Sequence, residues 1–157
     1  LAAADRVAGV NPDVEVTAVS QRLDSSNAVK WLTGMDVIVD ALDTFSSRRM
    51  LLGVAQQLRI PWVHAAIAGF TGQVATILPD DQGISVLFAR RTEADRGVEA
   101  VLGNPAATPA VAAALQSQEV VKLITGVGQP LSGQLLYFDL EYNLFEKVKM
   151  KNEMKND

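Results

Sequence analysis

Apolar positions along this chain switch between helical and strand-like spacing, and the switches divide it into elements. Residues 1–9 are Ala-rich and predict a helix, with Gly9 placed to end it and Asn11-Pro12 to turn the chain. Val14, Val16 and Val19 suit a short strand. In "LDSSNAVKWLTGMD", Asp24, Ser25 or Ser26 can cap a helix whose apolar positions are Ala28, Val29, Trp31 and Leu32, with Gly34 following. Val37 to Val39 form a short unalternating run, as a strand covered on both faces should. From Phe45 to Leu58 the period is helical again. "IPWVHAAIAGFTG" then predicts a third buried strand running into a glycine-containing loop. This alternation of helix and strand implies parallel strands joined by crossover helices, the plan of an α/β sheet.

The second half has a different rhythm. "GQVATILPDDQG" predicts a strand and a turn, and "ISVLFARR" another strand. "RTEADRGVEAVLGNPAATP" has no period and reads as a long surface connection. "PAVAAALQSQEVVKLITG" is the strongest helix, with Val111, Leu115, Val120, Leu123 and Ile124 on one face and Gly126 at its end. Leu136, Phe138 and Leu140 alternate before a turn at Asn143, and Phe145 and Val148 follow, which predicts an antiparallel hairpin. The fold expected is therefore α/β: part of a Rossmann-like parallel sheet, continued by antiparallel strands, with helices on both faces. Residues 1–150 form one domain in this reading, and 151–157 a charged, disordered tail.

Composition narrows the function classes. The 157 residues are 48% hydrophobic and 20% charged, ordinary for a globular chain with a real core, and only 6% aromatic, so Ala, Val and Leu do most of the packing. The formal net charge of −4 argues against a broad nucleic-acid surface. No apolar run approaches the roughly 20 residues of a membrane span. The absence of cysteine excludes disulfides, thiolate metal sites and a cysteine nucleophile, and makes a cytoplasmic setting the default. "LAAADRVAGVNP" reads as a helix already under way, without a cap residue before it, which suggests a piece of a longer protein.

The candidate chemistry sits in "MDVIVDALDTFSSRRMLL", Met35 to Leu52. Ligands of open α/β sheets bind at the carboxyl ends of the strands, and Asp40 and Asp43 lie at such an end. A carboxylate there can hold Mg²⁺ on nucleotide phosphates, and Arg48, one helical turn on, could present its fork to a phosphate or carboxylate. The alternative is that Asp43 or Thr44 caps the helix and the arginines are solvated, and spacing leaves both open. His64, the sole histidine, sits mid-strand among apolar neighbours and reads as a hydrogen-bonded core histidine. Trp31 and Trp62 read as core. No Gly-rich phosphate loop is present: "GFTGQ" follows the third strand and lacks the G-x-G-x-x-G spacing.

Four stretches taken together resemble one family, the MoeB/ThiF/HesA-type adenylyltransferases that activate ubiquitin-like proteins. They are "VNPDVEV", "DVIVDALDTFSSRRMLL" against a D-x-V-x-D-x-x-D-N-x-x-x-R pattern, "IPWVHAAIAGFTGQV", and "LQSQEVVKLITGVGQPLSGQLLYFDLEYNLFEKVKM". They keep the family's order and span nearly all of residues 1–150. The resemblance implies an ATP- and Mg²⁺-dependent adenylation of the C-terminal Gly-Gly of a small sulfur-carrier protein, as in molybdopterin and thiamine pathways, by a homodimer. It implies that Asp43 orders Mg²⁺ and the phosphates, that Thr44 stands where the family usually has Asn, that Arg48 matches the arginine of the following helix, and that Arg22 falls near the adenine.

The departures from the pattern carry equal weight. The family's first βαβ unit, with its Gly-rich loop, is absent, so these residues alone are expected to bind ATP poorly. Both C-x-x-C pairs of the family's structural zinc are missing, one at "ISVLFARR" and one at Asn104 to Thr108, so no zinc is expected. A second reading is a degenerate, non-catalytic subunit that supplies dimer surface and substrate docking. An NAD-binding Rossmann domain shares the fold class, and no motif here supports it.

Overall fold

The computed structural model describes residues 2–81, 97 and 99–150. Among the described residues five strands lie side by side in chain order: β1 (Ile38–Val39), β2 (Trp62–Ala68), β3 (Thr71–Ile77), β4 (Gln134–Asp139) and β5 (Leu144–Lys149). β1 pairs with β2 in parallel, and every later pairing is antiparallel. The change of direction is local in origin. Gly69 adopts φ +57, so the chain folds back over Gly69-Phe70, and a loop this short can join only antiparallel strands.

The helices are α1 (Ala2–Val10), α2 (Ala28–Leu32), α3 (Phe45–Leu58), α4 (Glu99–Leu102) and α5 (Ala107–Thr125). α3 buries Arg48, Leu51, Leu52 and Ala55, the i, i+3, i+4, i+7 face of an amphipathic helix. It packs on Ile38, Trp62, Ala75 and Ile77 on one side of the sheet. On the other side Ala112 of α5 packs with Ala65, Val74, Leu131 and Phe138. Trp62 and Phe138 are fully buried, one on each side. Each contributes about 2–3 kcal/mol relative to exposure. Gly72, paired with Phe138 across β3 and β4, makes that fit possible: a Cβ there would lie 2.2 Å from the phenyl ring.

The structure departs from the periodicity reading in several places. Val14 to Val19 make no strand: they pair with neither edge of the sheet, and the three valines are exposed. Asn27, rather than Asp24, Ser25 or Ser26, precedes α2, while Asp24 accepts from Ser26 N–H at 2.9 Å and shapes the turn before it. Trp31 is half-buried rather than core. The long connection contains the single turn α4, and α5 starts at Ala107. The buried line of α5 is Thr108, Ala112, Gln116 and Glu119, whereas Ile124 is exposed. A helix pressed on a sheet face can bury polar groups where the sheet leaves main-chain or hydroxyl partners for them. The expected strand over residues 84–91 and the tail at 151–157 lie outside the described residues. No helix among the described residues is long and apolar enough to cross a membrane.

Candidate functional site

β1 ends at Val39, and the four residues that follow turn the chain into α3. Asp40 is 1% exposed. Its Oδ1 accepts the Leu42 N–H at 2.7 Å, a local turn that Asp forms readily. Its Oδ2 lies 2.7 Å from His64 Nδ1 and 3.4 Å from Arg48 Nε. Its main-chain N–H donates to Val63 O at 3.0 Å. Gln116, arriving from α5, donates to Asp40 O at 2.8 Å and Val63 O at 3.1 Å. The Asp40 carboxylate and main chain and the Gln116 amide therefore meet hydrogen-bond partners, while Arg48 Nε, buried without one, has only the ion pair with Asp40.

His64 is a core histidine, as its position on an apolar strand suggested, and it also faces the candidate site. Burial pushes its pKa below the ordinary value; Asp40 opposes that shift and Arg48 adds to it. The neutral ring donates Nδ1–H to Asp40 and leaves Nε2 as acceptor towards Gln73 Nε2, 3.4 Å away.

Thr44 resolves the capping question. Its hydroxyl oxygen accepts the Ser47 N–H at 3.3 Å at the start of α3, with the extended backbone of a cap residue. Thr44 does not line the neighbouring cavity. Asp43, one residue earlier, is exposed and does line it. The cavity holds about 750 Å³ at the carboxyl end of β1, and Arg48, His64, Gln73, Gln116 and Tyr137 also line it. Arg48 is buried, not solvated. Besides the Asp40 ion pair, its Nη2 donates to the carbonyls of Leu42 and Ala65, so the fork expected to face a phosphate is engaged with the protein.

Arg22 lies elsewhere. It lines a separate hollow of about 480 Å³ with Lys30 and Trp31, and the two hollows share no lining residue. The structure thus brings Asp43 and Arg48 together and leaves Thr44 and Arg22 outside that cavity. Gln116, Gln73 and Tyr137 escaped the sequence reading. The available signal was the line Thr108, Gln116 and Glu119, polar positions sharing a face of a helix otherwise rich in Ala and Val.

Below the cavity a second polar group joins α5 to the sheet. Glu119 Oε2 accepts from Thr76 Oγ1 at 2.5 Å and from Leu131 N–H at 2.8 Å, and its other oxygen pairs with Lys122. Thr108 Oγ1 donates to Gly69 O at 2.9 Å, tying the hairpin turn to the start of α5.

Comparison with known proteins places the chain in a family. The ThiF family model matches residues 1–157. The chain is 39% identical over 150 residues to the SAMP-activating enzyme E1 of Haloferax volcanii, covering 93% of this chain and 54% of that protein. It is 35% identical over 164 residues to the sulfur carrier protein adenylyltransferase of Thermus thermophilus, covering 96% and 58%. It therefore spans about half the length of the curated relatives it matches. Among solved structures it is similar to PaaA with a TM-score of 0.72 at 19% identity, over 96% of this chain and 54% of that one, a likeness of fold.

Proposed function

The chain belongs to the ThiF family, and from that premise we propose that this protein uses ATP to adenylate the C-terminal Gly-Gly carboxylate of a ubiquitin-like sulfur carrier. The observation that carries the reading is Asp43. It stands at the carboxyl end of a parallel strand, Thr44 rather than Asp43 caps α3, and Asp43 lines a cavity large enough for a nucleotide or a peptide end. The names of the relatives, a SAMP-activating enzyme and a sulfur carrier protein adenylyltransferase, point the same way.

In this reaction the carrier's carboxylate oxygen attacks the α-phosphorus of ATP, the bond to the β-phosphate oxygen breaks, and pyrophosphate leaves. Catalysis then rests on placement and charge. No group of three or more acidic or histidine side chains among the described residues is arranged to hold a metal. A single carboxylate suits Mg²⁺, which keeps waters and binds largely through substrate phosphates. Asp43 would hold that ion, which would supply neutralisation of the phosphate charge. Arg48 contributes from the wall, holding the Leu42 carbonyl that precedes Asp43. Arg22 would act at the nucleotide's other end, from its separate hollow.

The protein works as a cytoplasmic homodimer in this reading. Exposed Val121 and Ile124 on α5, with Val127 just beyond it, supply apolar surface for association.

The test is ATP–pyrophosphate exchange by the full-length protein with its carrier. Asp43→Ala lowers exchange about 100-fold, the scale of losing one preorganised charge contact. Unchanged exchange removes Asp43 from the site. A second reading, a non-catalytic subunit, draws on the inward commitment of the Arg48 fork. Carrier binding by a full-length protein that shows no exchange selects it.

A further inference from the structure

Leu42, the residue before Asp43, is held through both its main-chain N–H and its carbonyl by one buried ion pair. Asp40 Oδ1 takes the Leu42 N–H at 2.7 Å, and Arg48 Nη2 donates to the Leu42 carbonyl. The two charges are not in tight contact, since Arg48 Nε stands 3.4 Å from Asp40 Oδ2. The short contact to that oxygen comes from His64, 2.7 Å away on β2. Asp40 and His64 stand in the cavity wall, but at 1% and 0% exposure they offer a ligand almost no surface. Their link to Asp43 runs through Leu42.

We propose that Asp40 and His64 are positioning residues: the His64 Nδ1–H fixes the Asp40 carboxylate so that Asp40 and Arg48 hold the turn presenting Asp43. Without that donor, Asp40 can rotate towards Arg48, and its hold on the Leu42 N–H weakens. Leucine at 64 keeps much of the side-chain volume and removes the donor. Asparagine carries an amide N–H near the place of Nδ1 and restores it. The activity arm of the test rests on the adenylation reading; the structural arms do not.

The experiment uses the full-length protein. In His64→Leu the Leu42 amide exchanges with solvent about 10-fold faster or more, while the Val74 amide in the core keeps its protection. In the same variant kcat for ATP–pyrophosphate exchange falls about 10-fold or more, with KM for ATP within about 3-fold. In His64→Asn the amide rate and kcat both return to within about 3-fold of wild type. Unchanged Leu42 protection in folded His64→Leu overturns the proposal, as does equal loss in both variants. Imidazole ¹⁵N shifts of the wild type supply a check that needs no variant to fold: protonated Nδ1 and bare Nε2 are expected at neutral pH, and the opposite tautomer overturns the donor role. Absence of exchange in the wild type sinks the adenylation reading, while the Leu42 amide and the tautomer still decide this one.

Discussion

His64 Nδ1 lies 2.7 Å from Asp40 Oδ2, and both side chains are enclosed on the face of the sheet that α3 covers. A neutral donor and a cation share one buried carboxyl group. The acidic residue that follows β1 is thereby tied to β2, to α3 and to the turn that leads into Asp43.

Asp40→Ala strands this arrangement. The Arg48 guanidinium and the His64 N–H lose their acceptor while remaining buried, and the Leu42 N–H loses its turn partner. Breaking a buried pair by removing one member costs about 3–5 kcal/mol. Urea unfolding of the variant beside wild type measures it, and a loss under about 1 kcal/mol contradicts the burial argument.

The pH profile follows from the same pair. Burial lowers the His64 pKa in the folded state. Above about pH 6.5 the ring is neutral in both states, and its contribution is complete. Below that, the unfolded chain takes up a proton that the folded chain refuses. Stability therefore falls as the pH drops through 6.5 towards the folded value, by up to about 1.4 kcal/mol per pH unit. His64 is the sole histidine. Urea midpoints between about pH 7.5 and 5.5 should slope in wild type and flatten in His64→Asn.

Gly72→Ala tests the aromatic floor. The added methyl would meet three ring atoms of Phe138 within 3 Å, and that ring is fully buried with no surface to retreat to. Overpacking costs about 1–3 kcal/mol, read as a lowered melting temperature. Pairing Gly72→Ala with Phe138→Leu should cost less than the sum of the single changes, because the smaller side chain makes room for the methyl.

Gln116→Leu separates packing from hydrogen bonding in α5. The substitution keeps an apolar stem but withdraws the donor to Asp40 O and Val63 O. A loss of about 1–3 kcal/mol is expected for leaving buried acceptors short of a partner. Denaturant titration checks it, and Gln116→Met should behave alike, since neither side chain carries an N–H.

The elements with local causes were legible in the chain. α3 follows from its apolar spacing, the β4–β5 hairpin from its alternation and Asn143, which adopts φ 54, and the end of α5 from Gly126 at φ 70. Asp43 was legible as a candidate because motif order places it at the end of a strand. Which polar groups turn inward was not, because that depends on partners distant along the chain. Asp40 meets His64 24 residues away, and Gln116 reaches Asp40 O across 76. The same limit explains Val14 to Val19: alternation can propose a strand, but a ladder exists only where another edge comes to meet it. Spacing left Asp43 and Thr44 equal candidates for the α3 cap. Folding assigned the cap to Thr44 and left Asp43 at the cavity, a choice set by backbone geometry and not by residue type.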